Sequence, residues 1–226
     1  MSLVDYAEQG AKAAEKDPDV QLMLRVQQDD AVAFEQLIET YQKRLHRVLR
    51  HTVASESVAE DLVQEVFLRV WRARKKYRPT AKFSTWLFHI AHNVANNSVR
   101  DFKRRREFQV AAADASRSDA FSMDQMVVAS TGAMPVRRLD KTERAEMVKA
   151  AIEALNERQR MALMLFRFEG LSYQEIAEAM GLSVQAVKSL LRRARVNLKT
   201  LLEPYLDAGL VPGSAPAVDK DADEVQ

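Results

Sequence analysis

Cysteine is absent from the 226 residues, which removes disulfides, thiolate metal sites and thiol nucleophiles in one step and fits a reducing compartment. Glycine and proline number six each. With no run that alternates β-branched and polar residues, strands are not expected. No apolar run approaches the roughly 20 residues that a membrane-spanning helix needs, and no basic stretch precedes an apolar core at the N-terminus. The expectation is a cytoplasmic protein without membrane insertion. Nucleotide-binding Gly-rich loops and paired carboxylates in a pocket are missing too, so no catalytic residues, no cofactor and no enzyme activity are expected.

What remains is rich in Ala, Leu, Glu and Arg, the composition of an all-α protein. The length exceeds one typical domain without filling two large ones, so two small helical domains with a connector are expected. The net charge of +2 is unevenly spread: residues 41–110 hold sixteen Lys and Arg against six Asp and Glu, while residues 203–226 hold six acids and one Lys. A basic middle with an acidic end points to polyanion binding by the folded parts.

Helical spacing and caps predict helices over 19–28, 31–50, 58–74 and 85–105. Asp30 is placed to cap the second, Ser57 with Glu60 to form a capping box on the third, and Ser84 between Phe83 and Phe88 to start the fourth. Ten of the sixteen aromatic residues lie between Phe34 and Phe108. A core built on Phe34, Leu37, Leu45, Leu62, Val66, Phe67, Trp71, Trp86, Leu87 and Ile90 would use several of them. After Arg106 the composition shifts to Ala, Ser, Asp and Met. The domain reading is therefore an N-terminal tail (1–18), a helical bundle (19–106), a flexible linker (107–140), a second helical domain (141–204) and a disordered acidic tail (205–226).

The second domain holds the densest pattern. Helices are expected over 141–155 and 157–168, the latter started by Asn156 with Gln159 and ended by Gly170. Ser172 with Glu175 then forms a capping box, Gly181 ends that helix, and Ser183 caps another running to about residue 202, before Pro204. Two helices around so tight a corner read as a helix-turn-helix. Val187, Leu190, Leu191, Ala194 and Leu198 fall on the inward side of the last helix, leaving Gln185, Lys188, Ser189, Arg192, Arg193 and Lys199 outward with no acid among them. Such a face suits the DNA major groove, though basic amphipathic helices also serve as plain solvated surfaces.

Three features of the first domain carry chemistry. Residues 74–83 join two helices with five cations, Tyr77 and Pro79, a segment able to neutralise phosphates beside a base turned out of its stack. Arg78 and Lys82 lie in it, and Asn93 and Asn97 stand one turn apart on the next helix with Arg100 beyond them. Asp61, Gln64 and Glu65 share a face on the third helix, where a solvated acidic helix start is the ordinary alternative. Trp86, between Phe83 and Ile90, reads as core rather than as a wedge for melting DNA. His89 and His92 at i, i+3 find no third ligand at helical spacing, so no metal site is expected.

Glu60-Asp-Leu-Val-Gln-Glu-Val-Phe-Leu-Arg-Val-Trp-Arg72, Phe83-Ser-Thr-Trp-Leu-Phe-His-Ile-Ala-His-Asn93, Leu155-Asn-Glu-Arg-Gln-Arg160 and Glu169-Gly-Leu-Ser-Tyr-Gln-Glu-Ile-Ala177 stand in that order. Together they resemble the bacterial sigma-70 family of RNA polymerase sigma factors, in its extracytoplasmic-function (ECF) group, over residues 19–202. The resemblance implies an alternative sigma factor that brings core RNA polymerase to promoters. It implies that Asp61, Gln64 and Glu65 of a region 2 dock on the β′ clamp helices. Arg78, Lys82, Asn93, Asn97 and Arg100 would capture the minus-ten strand. A region 4 would bind the β flap and read minus-thirty-five DNA through Ser183, Gln185, Lys188, Ser189, Arg192 and Arg193. An anti-sigma factor is a further candidate partner. Similar proteins often carry Arg where this chain has Leu190, which implies one phosphate contact fewer. The rivals are a stand-alone helix-turn-helix repressor or activator, and a nucleic-acid hydrolase with a His-based metal site.

Overall fold

A computed structural model of the chain describes residues 16–53, 55–114 and 141–207, and every regular element among them is helical. The order is α1 (Pro18–Gln27), α2 (Ala31–Arg50), α3 (Glu56–Ala73), a 3₁₀ turn (Arg74–Lys76), α4 (Phe83–Asp114), α5 (Lys141–Glu153), α6 (Glu157–Phe168), α7 (Tyr173–Met180) and α8 (Val184–Asp207). The described residues fall into two compact units. One holds α1 to α4, α6, α7 and α8 as far as Ala194; the other holds α5 and α8 from Arg195 onward.

In the first unit each helix turns one apolar stripe inward at three- and four-residue spacing. Leu37, Tyr41, Leu45 and Val48 of α2 are buried, as are Val66 and Val70 of α3 and Phe83, Leu87, Ala91 and Val94 of α4. Burying a side chain the size of leucine stabilises by about 1.5–3 kcal/mol, so these stripes dominate the cohesion of the unit. Phe34, Leu62, Trp71, Trp86 and Ile90 pack against this core only partly buried. The Trp86 ring meets Tyr77 edge-on with centroids 4.8 Å apart. In the second unit Ala151, Ile152 and Leu155 are buried, and Met147, Ala150, Leu201 and Tyr205 line a shallow groove.

Helix starts show which signals are local. Asp30 caps α2 through Oδ1, which accepts from the Ala33 amide at 3.0 Å, as the sequence predicts. On α3 the cap is Ser55, not Ser57: Ser55 has extended backbone and its Oγ accepts from Val58 N at 3.3 Å, which leaves Ser57 inside the first turn. Nor does Ser84 cap α4. It lies within the helix, and the amide of Phe83 donates to Asp17 Oδ2 at 3.0 Å, a partner 66 residues away.

Two helix ends also differ from expectation. α4 runs to Asp114 rather than 105, into the start of the segment read as linker, where Ala111, Ala112 and Ala113 are strong helix formers. α8 passes through Pro204 and ends at Asp207, although proline has no N–H to give to the carbonyl four residues back. The tails and linker expected over 1–15, 115–140 and 208–226 lie outside the described residues.

Candidate nucleic-acid interface

The helix-turn-helix is built by local chemistry. Ser172 N donates to Glu175 Oε2 at 2.8 Å and Glu175 N donates to Ser172 Oγ at 3.2 Å, a reciprocal capping box that starts α7. Gly181 takes φ +63, the left-handed conformation that ends the helix, and Leu182 N reaches back to the Ala177 carbonyl at 2.8 Å. Two residues later Ser183 Oγ accepts from Ala186 N at 3.2 Å and α8 begins. Its inward side buries Val187, Leu191 and Ala194. Leu190 is half-buried against the same core, so apolar packing accounts for leucine there.

The opposite side of α8 exposes Gln185, Lys188, Arg192 and Arg193, with Ser189 half-buried. The Lys188 ammonium stands 6.0 Å from the centre of the Tyr173 ring. Ser183 is exposed, with its hydroxyl oxygen serving as the cap. These side chains form one rigidly based donor surface suited to phosphates and to acceptors on base edges.

The basic segment is less free than its composition implies. Arg74 bonds Asp29 Oδ1 at 2.8 Å and lies 4.1 Å from the centre of the Trp71 ring. Lys75 bonds the other oxygen of Asp29 and the Gln27 carbonyl. Asp29 has φ +68, and the two cations hold its carboxyl below the usual carboxylate range through hydrogen bonds first and charge second. Gln27 Nε2 donates to the Tyr77 carbonyl at 3.1 Å, pinning the segment to α1. Lys82 pairs with Glu175 Oε1 at 2.8 Å. Lys76 and Arg78 are exposed and form no ion pair among the described residues.

On α4 the two histidines behave differently. His89 Nδ1 is 3.2 Å from the Ala179 carbonyl and 3.3 Å from that of Glu178, and its Nε2 accepts from Asn93 Nδ2 at 3.1 Å. The tautomer is thus set, with the proton on Nδ1. His92 is buried, and its Nε2 accepts from Asn96 Nδ2 at 2.9 Å. Burial first, then the charge His89 carries when protonated and the charge of Arg158, push its imidazole down to about 4. Asn93, Asn97 and Arg100 are exposed along α4. Asn97 borders a groove of about 720 Å³ with Leu62, Val94, Phe102 and Arg160.

On α3, Asp61 and Gln64 are exposed, while Glu65 is tied to Arg69 at 2.6 Å. Leu68 continues this face and is 49% exposed. With Gln64 it edges an apolar groove of about 530 Å³ floored by Phe34, Phe67 and Trp71. Leu68 was not among the residues expected here. The signal for it was present, since 61, 64, 65 and 68 fall on one side of a helix.

Comparison with known proteins bears on all of these surfaces. Residues 37–106 match the family described as Sigma-70 region 2, and residues 145–198 match Sigma-70, region 4. The chain is 35% identical over 192 residues to the RNA polymerase sigma-H factor of Pseudomonas aeruginosa, covering 84% of this chain and 97% of that one. It is 32% identical over 193 residues to the ECF RNA polymerase sigma-E factor of Haemophilus influenzae, covering 85% of this chain and all of the relative. Among solved structures, CnrH in complex with the cytosolic domain of CnrY superposes with a TM-score of 0.59 at 25% identity, over 83% of this chain and 99% of that one. The Bartonella quintana sigma factor RpoE, solved with the anti-sigma factor NepR, shares the fold at a TM-score of 0.54 and 24% identity, over 75% and 96% of the two chains.

Proposed function

The chain belongs to the sigma-70 family, in its extracytoplasmic-function group, and directs transcription initiation; from that premise and the geometry we propose a division of labour among its surfaces. Residues 19–106 act as region 2, 107–140 as a connector and 141–204 as region 4. Asp61, Gln64 and Glu65 dock on the β′ clamp helices of core RNA polymerase, with Leu68 adding apolar contact. Arg78, Lys82, Asn93, Asn97 and Arg100 receive the opened minus-ten strand, and Ser183, Gln185, Lys188, Ser189, Arg192 and Arg193 meet minus-thirty-five DNA. Region 4 also engages the β flap. The polymerase supplies the chemistry and this chain supplies recognition. Its site of action is the cytoplasm, consistent with the absence of any described helix long and apolar enough to cross a membrane. Binding by an anti-sigma factor is proposed from the complex that the RpoE neighbour forms with the anti-sigma factor NepR.

The observation that carries this reading is the exposed side of α8 from Gln185 to Arg193, free of acids, mounted on a helix whose start is fixed by Ser183 and by the left-handed Gly181 before it. The test reconstitutes the chain with core polymerase, maps start sites and footprints melted DNA with permanganate. Arg192→Ala and Arg193→Ala should each weaken promoter use by about 1–3 kcal/mol while core binding holds. Asn93→Ala should lose strand opening more than closed-complex binding. Nanomolar duplex binding by the chain alone, with no effect of polymerase on opening, would instead identify a stand-alone repressor.

A further inference from the structure

Asp29 stands just past the end of α1, where the chain turns into α2. Its amide bonds the Val26 carbonyl at 2.9 Å and the Asp30 amide bonds that of Arg25 at 3.2 Å, the paired closure that places one left-handed residue after a helix. That residue is Asp29, at φ +68. Glycine takes this conformation freely and any L-residue is strained by it, so the turn alone gives no reason for a carboxylate. The reason lies at the other end of the side chain. One oxygen binds Arg74 and the other Lys75, 45 and 46 residues onward, in the 3₁₀ turn that opens the basic segment.

Further bonds run the same way. Lys75 Nζ also donates to the Gln27 carbonyl at 2.9 Å, Gln27 Nε2 donates to the Tyr77 carbonyl at 3.1 Å, and Arg74 Nη1 donates to the Trp71 carbonyl at 2.8 Å. The Tyr77 ring is buried against Trp86 and Phe83, its centroid 4.8 and 6.4 Å from theirs. Arg78 therefore leaves a backbone that is fixed up to the residue before it. Exposed ion pairs add little to stability, so the value of this latch is in where it holds the chain and in which charges it cancels. We propose that Asp29 is a specificity-determining positioning residue for the minus-ten strand, holding Arg78 in place while keeping Arg74 and Lys75 from sequence-independent phosphate contact. The inference rests on the assignment of Arg78 to that strand. Phosphate contacts supply affinity without reading bases, so removing two of them raises the share of binding that depends on sequence.

The test uses the chain reconstituted with core polymerase and two premelted promoter forks, one carrying the minus-ten sequence of a mapped start site and one with that sequence scrambled. Asp29→Gly keeps the turn and removes the carboxylate. Glu35→Gln removes an exposed acid of α2 as a charge control. Asp29→Gly should cut the ratio of affinities for the two forks roughly tenfold, the size of one good base contact. It should also steepen the salt dependence on both forks, by roughly 0.7 in log–log slope for each of the two freed cations. Lys75→Gln should leave the slope unchanged in the native chain and lower it in the Asp29→Gly background. The melting temperature of Asp29→Gly should not fall, because glycine suits φ +68. An unchanged affinity ratio in Asp29→Gly, or an equal loss in Glu35→Gln, would overturn the proposal. So would a lower ratio that comes with a lower melting temperature and an unchanged slope, since that assigns Asp29 to the turn alone. Arg78→Ala separates this proposal from the reading beneath it. If that variant lowers the ratio and Asp29→Gly does not, the minus-ten assignment stands and the role of Asp29 falls; a ratio indifferent to Arg78→Ala removes both.

Discussion

Lowering the pH from 7 to 5 should weaken the helical body through His92, a side chain 8% exposed whose imidazole is pushed down to about 4 by burial, by the charge His89 carries when protonated and by that of Arg158. In the unfolded chain the same group titrates near the ordinary imidazole value of 6.5. Between those two values the unfolded state takes up a proton that the folded state refuses, so stability falls as pH falls. It is fully present above 6.5 and lost by the time pH reaches 4. At about 1.4 kcal/mol per unit of displacement, the loss is about 2 kcal/mol at pH 5 and about 3 kcal/mol once both states are protonated. The carboxylates held below their ordinary values, Glu175 among them, lose stability only in a more acidic window, so pH 5 to 7 leaves them out, and comparison with a His92 variant separates this imidazole from the other three. Urea unfolding at pH 7, 6 and 5 measures the slope. His92→Gln keeps a polar partner for Asn96 without titrating, and its curve should be flatter by the same amount. Equal acid sensitivity in the two proteins would refute the burial argument.

The docking face should respond unevenly to charge reversal. Asp61→Lys is expected to weaken core-polymerase binding in a pull-down more than Glu65→Lys does, because Asp61 is exposed while Glu65 is already tied to Arg69; equal losses would mean that the ion pair opens on docking. Gly181→Ala should lower stability by about 1–2 kcal/mol in thermal unfolding, the cost of a left-handed L-residue. A Cβ there would meet nothing within 4 Å, so no steric term adds to it, and an unchanged melting temperature would show that the corner relaxes.

Much of the fold was legible because its signals are short-range. Asp30, Asn156 and Ser172 each bond an amide three residues onward, and any reader of the sequence can find such spacings. The same spacing misleads where serines compete. Ser57 with Glu60 looks like a better box than Ser55, yet Ser55 takes the extended backbone and the cap. The start of α4 was not readable at all: its amide is satisfied by Asp17, which already caps α1 through its other oxygen. One carboxylate serving two helix starts exists only after α1 and α4 have met.

The candidate site shows the same division more sharply, since charge can be counted in a sequence but its availability cannot. The cations between 74 and 82 look equivalent as a phosphate-binding run. Folding sorts them. Asp29, at a turn 45 residues before Arg74, takes both Arg74 and Lys75 and fixes the 3₁₀ turn to α1, while Glu175 takes Lys82. Lys76 and Arg78 remain. A cation already neutralised within the protein releases fewer counterions when it meets a phosphate, because the encounter exchanges one anion for another. The two bound to Asp29 therefore act as scaffold, shaping the path of the backbone that presents Arg78. Lys82 is different in kind: its partner Glu175 lies in the first turn of α7, 93 residues onward, so this pair exists only once α7 has packed on α4.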